Sequence, residues 1–143
     1  MSAARDPAAL ARRCADLMWA DDQASQSLGM SLDDVAPGRA ALSMTVRPDM
    51  VNGHGIGHGG FTFALADSAF AFACNSHGPR AVAFHCSISY LGPSRLGDVL
   101  VAQAVERHLS GRTGVYDITV SCEETVVAEF RGTSRTVGGS WLD

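Results

Sequence analysis

The chain has 143 residues, 46% of them hydrophobic and 18% charged, with a net charge of −4. That composition suits one folded domain (1–143) with a sizeable core and excludes a disordered chain. A pI near 5.6, with no run of Lys and Arg, argues against the basic face of a nucleic-acid binder. Cys14, Cys74, Cys86 and Cys122 lie far apart with no CxxC pair, so reduced and mostly buried thiols of a cytoplasmic protein are expected rather than a metal site or a disulfide framework.

No apolar h-region occupies Met1–Pro7, so no secretory signal is read there. Pro7 to Asp22 reads as a helix: Leu10, Cys14, Leu17 and Met18 share one face, and Asp6 before Pro7 supplies a cap. Arg39 to Arg47 alternates, with Ala40, Leu42, Met44 and Val46 on one side, which predicts a half-buried strand stopped by Pro48. The run Asn52-Gly53-His54-Gly55-Ile56-Gly57-His58-Gly59-Gly60 then leads straight into Phe61–Cys74, a segment apolar nearly all round. Such a helix is buried on most sides. It is too short, and too polar at Asp67, to span a membrane.

Asn75–Pro79 stops this helix. Four strand-like segments follow, Ala81–Leu91, Asp98–Leu109, Gly114–Cys122 and Thr125–Val137, close enough for antiparallel hairpins. Gly138–Asp143 is expected to be a loose tail. The order helix, strand, long helix, four strands is an α+β pattern. A curved antiparallel β-sheet wrapped round the long central helix satisfies it.

Asp67 is a carboxylate on that apolar helix with no charged residue near it in sequence. Folding does not need it and burying it is costly, so it is the first candidate for chemistry. In an apolar wall it can act as a general base or attack directly. Gly59 and Gly60 stand where a helix N-terminus presents unpaired N–H groups and the positive end of its dipole. Without side chains they let a substrate oxygen approach those N–H groups. His54 and His58 are four apart, but the glycines at 53, 55 and 57 oppose a metal-binding helix and no Glu follows His54. Gly55–Gly60 matches GxGxxG in letters only, without a βαβ unit or an acidic residue about 20 positions on. Neither cofactor nor metal is expected.

Five stretches stand out: Val51-Asn52-Gly53-His54, His58-Gly59-Gly60, Ala66 to Ser76, Ser89-Tyr90-Leu91 leading into Gly97-Asp98, and Gly114 to Ile118. Together they resemble the hotdog-fold acyl-CoA thioesterases, and within them the phenylacetic acid degradation thioesterases. The resemblance covers about residues 10–137. It implies a hotdog fold and hydrolysis of phenylacetyl-CoA or hydroxyphenylacetyl-CoA to CoA and the free acid. It makes Asp67 the catalytic carboxylate, Gly59 the backbone donor to the thioester carbonyl, and Asn52 and His58 the supporting polar residues. Gly60, Phe61, Ser68, Ala83, Tyr90, Arg95 and Arg112 are the expected substrate-binding positions, with Arg80 and Arg131 as further partners for the CoA phosphates. Some relatives carry a Ser or Thr near position 83 that helps hold water. Ala83 departs from this, and Ser87 or His85 would have to substitute.

Spacing adds an inference of its own. Asp67 lies eight positions after Gly59, which on one helix is about 12 Å of rise. One carbonyl needs its attacker and its oxyanion donor within roughly 3–4 Å. Gly59 of one subunit must therefore serve with Asp67 of another, which requires at least a dimer. The resemblance implies a homotetramer, a dimer of dimers. Two alternatives are a hotdog hydratase of enoyl thioesters, disfavoured because no His follows Asp67 before His77, and a non-catalytic acyl-CoA-binding protein, for which Asp67 would be superfluous.

Overall fold

The computed structural model describes residues 6–143; the Met1–Arg5 part of the segment read above for a signal lies outside them. Helix α1 spans Pro7–Asp21, and Asp6 caps it by accepting the Ala8 N–H at 3.2 Å. Its buried face is Ala11, Cys14 and Ala15, with Met18 packed against the core, while Leu17 is 41% exposed. The expected stripe is corrected accordingly: the small side chains of Ala11 and Ala15, rather than Leu17, let α1 approach closely. A short helix α2 (Gln23–Ser27) follows, capped by Asp22.

Strand β1 (Ser31–Ala36) was not expected. Its two adjacent aspartates and a register break between Leu32 and Asp34 spoil the alternation that would have revealed it. It pairs with β2 (Arg39–Thr45), whose Ala40, Leu42 and Met44 are buried as the pattern requires. A 3-10 turn, Pro48–Met50, leads to the glycine loop and to α3 (Gly59–Cys74). Then come β3 (Pro79–Tyr90), β4 (Val99–Ser110), β5 (Thr113–Cys122) and β6 (Thr125–Ser140). The six strands form one antiparallel sheet in the order β1-β2-β4-β5-β6-β3.

The tail is a second correction. Strand β6 continues to Ser140, and the Trp141 N–H donates to the Gly78 carbonyl at 3.0 Å. The indole gives this segment enough to bind that it does not stay loose.

Helix α3 packs on β2, β4 and β5. Leu65, Ala66, Ala69, Phe70, Phe72 and Ala73 are buried against the sheet. The sheet makes room at one point in particular: a Cβ on Gly132 of β6 would lie 2.7 Å from the Phe70 ring. Polar contacts anchor the far end of α3. Ser76 Oγ donates to Ala73 O and accepts the Gly38 N–H from the β1–β2 turn. Glu106 of β4 accepts from the fully buried Tyr116 hydroxyl at 2.7 Å and meets His77 Nε2 at 2.8 Å. Burial pushes the Glu106 carboxyl up, but the bonds from Tyr116 and His77 outweigh it and hold it below the ordinary value. All four cysteines are free; Cys14 and Cys74 are buried, Cys86 and Cys122 half-buried. No helix among the described residues is long and apolar enough to cross a membrane.

The Phe70–Gly132 contact leaves no space for a methyl group. Gly132→Ala is expected to cost about 1–3 kcal/mol through overpacking, read as a lower urea midpoint with an unchanged slope.

Candidate active site

The loop before α3 is built around one side chain. Asn52 Oδ1 accepts the His54 N–H at 3.0 Å and the Ile56 N–H at 3.3 Å. Its backbone N–H donates to Ile56 O at 2.8 Å, and its carbonyl accepts from Gly55. The loop is tied down by Gly57 N–H to Ser94 O at 2.7 Å and His58 N–H to Met50 O at 2.7 Å. Asn52 is thus the internal scaffold of a tight loop, in the manner of an Asx turn.

His58 is the N-cap of α3. Its Nδ1 accepts the Gly60 N–H at 2.9 Å, and its carbonyl accepts the Phe61 N–H at 3.0 Å. Accepting at Nδ1 requires a neutral ring with its proton on Nε2. Two of the first three N–H groups of the helix are therefore occupied. The Gly59 N–H has no acceptor among the described residues, as helix geometry allows at the first position. The cap resolves which of the two glycines has a donor to spare.

Tyr90, at the end of β3, holds the next peptide, Gly59–Gly60, from the other side. Its hydroxyl donates to the Gly59 carbonyl at 2.9 Å. A Cβ on residue 59 would stand 3.0 Å from its ring, a tight contact that a side chain there could relieve only by shifting Tyr90. Beside this peptide lies a cavity of about 230 Å³ lined by Asn52, Gly59, Thr62, Tyr90, Ser94 and Val127. Thr62 and Ser94 were not anticipated. Ser94 sits in a turn cluster whose composition announces a loop and nothing more.

Asp67 lies two turns further along α3, half-buried, and joins none of the ion pairs found among the described residues. Burial pushes its carboxyl above the ordinary value. It opens on a second cavity, of about 260 Å³, lined by Met18, Phe70, Ala71, Cys74, Ala83 and Trp141 among others. The expected residues thus divide into two groups within one chain. Asn52, His58, Gly59, Gly60 and Tyr90 gather at the start of α3; Asp67 and Ala83 share the other cavity.

The remaining candidates stand apart. Ser68 turns away toward α2, its hydroxyl 2.8 Å from Ser25 Oγ, which in turn donates to Asp22 at 2.7 Å. Phe61 packs edge-on against His58 at 5.9 Å between ring centroids. Arg95 is exposed, next in the chain to Ser94 of the Gly59 cavity. Arg112 is exposed at the β4–β5 turn and donates to Thr136 O at 2.9 Å. Arg131 is committed to Asp117, and Arg80 stacks over Trp141. No cluster of three or more His, Cys, Asp or Glu suited to a metal ion occurs among the described residues.

A thioesterase superfamily model matches residues 54–129, from the glycine loop through α3 into β6. The acyl-coenzyme A thioesterase PaaI of Escherichia coli (strain K12) is 46% identical over 127 residues, spanning 88% of this chain and 91% of that protein. The chain belongs to the thioesterase superfamily.

The fold agrees. The structure of the E. coli PaaI protein from the phenylacetic acid degradation operon superposes on this thioesterase with a TM-score of 0.93 at 43% identity, covering 94% of this chain and 99% of that one. The smu.793 protein of Streptococcus mutans UA159, solved bound to acetyl CoA, gives a TM-score of 0.74 at 29% identity over 77% of this chain and 90% of that one. The α+β hotdog architecture, a long helix wrapped by a curved antiparallel sheet, is therefore the fold of this thioesterase.

A half-buried carboxylate without a cation is a cost to the fold. Its pKa is higher folded than unfolded, so the penalty is absent below the ordinary carboxylate range and grows as pH rises through the raised value. Asp67→Asn should therefore melt at a higher temperature than the wild type at pH 7, and the difference should vanish in acid. Calorimetry across pH checks both the sign and the window.

Proposed function

We propose that this thioesterase hydrolyses aryl-acetyl-CoA thioesters, phenylacetyl-CoA or hydroxyphenylacetyl-CoA, to CoA and the free acid. One observation carries the mechanism: a single helix bears both a spare N–H at Gly59 and a cation-free carboxylate at Asp67, in separate cavities. In the proposed reaction the thioester oxygen lies at the Gly59 N–H, where the helix dipole stabilises the negative charge that develops on it. Asp67 either takes a proton from the attacking water or attacks the carbonyl carbon itself, with water cleaving the resulting anhydride. By either route the C–S bond breaks, CoA leaves as its thiolate and takes up a proton, and the acyl carbon gains a hydroxyl oxygen. Asn52 and His58 shape the turn that carries the donor peptide, and Tyr90 holds the peptide that follows it. The aryl-acetyl preference rests on the similarity to the E. coli protein of the phenylacetic acid degradation operon.

The two groups are about 12 Å apart along α3, so the reading includes a dimer in which each site takes Gly59 from one protomer and Asp67 from the other. Strand β3 supports this: it is one of the two edge strands of the sheet, and Val82 and Phe84 on it are 50% and 61% exposed. Pairing of dimers into a tetramer, and a cytoplasmic location, complete the proposal. Arg95, beside the Gly59 cavity, and Arg112 are the proposed partners of the CoA phosphates. The hydratase reading finds no support, because the next His after Asp67, His77, is bonded to Glu106.

Two experiments test this reading. Thiol release on phenylacetyl-CoA should fall on the order of 10³-fold in Asp67→Ala, and an unchanged rate would remove Asp67 from the chemistry. Co-expressed Asp67→Ala and Gly59→Pro chains, the second lacking the donor N–H at a first helical position that tolerates proline, should each be inactive alone and together recover up to about a quarter of wild-type activity, since random pairing makes half the dimers mixed and each mixed dimer has one intact site. A mixture as inactive as its parents would place both groups in the same chain's site.

A further inference from the structure

The Asp67 cavity has a wall that the proposed chemistry does not use. Trp141 comes from the end of the chain, beyond the last strand, yet lines the same cavity as Asp67. It is held on three sides. Its Nε1–H donates to Asn75 Oδ1 at 2.8 Å, its backbone N–H donates to Gly78 O at 3.0 Å, and the Arg80 guanidinium lies 4.0 Å above its ring. Asn75 is only 2% exposed. The rest of its amide is already engaged: Nδ2 donates to Ala71 O and Ala81 O, and Oδ1 also accepts the Ala81 N–H. A buried amide fastened to the end of α3 and the start of β3 is a rigid mount for an indole. Simple cover for the core would not need so directional an attachment.

The other lining groups are apolar or nearly so: Met18 reaches in from α1, Phe70, Ala71 and Cys74 from α3, and Ala83 from β3. An apolar cavity of about 150 Å³ suffices for benzene. The cavity here, about 260 Å³, has space for an aromatic ring with its short acetyl linker, and the indole offers that ring a stacking or edge-on contact. We propose that Trp141, clamped by Asn75 and Arg80, is the end wall of the acyl pocket and determines the size of acyl group this thioesterase accepts. The proposal rests on the reading above in taking Asp67 as the reacting carboxylate.

Turnover by the full chain should be measured on straight-chain acyl-CoAs from two to ten carbons and on phenylacetyl-CoA, for the wild type, Trp141→Ala and Trp141→Phe. One methylene in an apolar pocket discriminates by roughly 10–200-fold. Trp141→Ala should accordingly lose about 10-fold or more in kcat/KM on phenylacetyl-CoA while its optimum moves to longer chains, and Trp141→Phe should stay near the wild-type order of preference. An equal change on every substrate, or an unmoved optimum, overturns the proposal. A second readout needs no turnover. In a Trp19→Phe background Trp141 is the only tryptophan, and its fluorescence should respond to the non-hydrolysable S-(2-phenylethyl)-CoA thioether but not to CoA alone. If the enzyme is inactive on the thioesters yet the emission responds, the hydrolase reading falls and the pocket assignment stands. If turnover is normal and the emission is silent, the pocket assignment falls and the hydrolase reading stands.

Discussion

A helix that is apolar on nearly every side can persist in water only if something wraps it, and most of this structure follows from that need. The buried faces of β2, β4, β5 and β6 supply the wrapping, and the sheet bends round α3 to do so. The fit is tight enough that β6 gives up a side chain altogether where Phe70 presses on Gly132. At the far end, Asn75, Ser76 and His77 tie the helix to neighbouring strands and to the β1–β2 turn. A helix held along its length and at its end is a fixed axis, and the positions of Gly59 and Asp67 on it are as rigid as the helix itself.

The N-terminus of that axis is organised by groups that satisfy each other and leave one donor over. Asn52 closes the loop around its own carboxamide, His58 caps two N–H groups, and Tyr90 holds the Gly59 carbonyl. Each bond is worth only about 1 kcal/mol net, but together they hold the Gly59–Gly60 peptide at both its N–H and its carbonyl, and so steady the His58–Gly59 peptide before it, which carries the spare N–H. A donor already aimed costs no reorganisation when charge develops before it. The carboxylate two turns away shows the opposite economy. Among the described residues every fully buried side-chain polar atom has a partner, while Asp67 joins no ion pair and carries a pKa raised by burial. Stability alone would not keep such a group there.

Much of this was legible from residue order, and the misses have physical causes. The long helix, its cap at Asn75, the buried side of β2 and the four later strands follow from periodicity and from Gly and Pro punctuation. Strand β1 escaped because an edge strand needs hydrogen bonds more than apolar alternation, and Asp33 and Asp34 erase the pattern. Leu17 was assigned to the wrong side because a helix seated through alanines turns its larger residues outward. Ser68, a substrate-binding position by resemblance, has its hydroxyl 2.8 Å from Ser25 Oγ, a contact with a residue 43 positions away that sequence spacing does not announce.

The sequence by itself determined the α+β class, the glycine-led helix, the suspect carboxylate and the about 12 Å that separates it from Gly59, because these depend on local spacing along one regular element. Only the tertiary structure decided which glycine keeps a donor to spare, since that turns on where the His58 ring folds back. It alone brought Tyr90 across from β3 to Gly59, and Met18 and Trp141 from opposite ends of the chain to the cavity beside Asp67. Contacts between residues so far apart in the chain leave no periodic trace; they exist because the sheet closes round the helix and carries both ends of the chain to the same place.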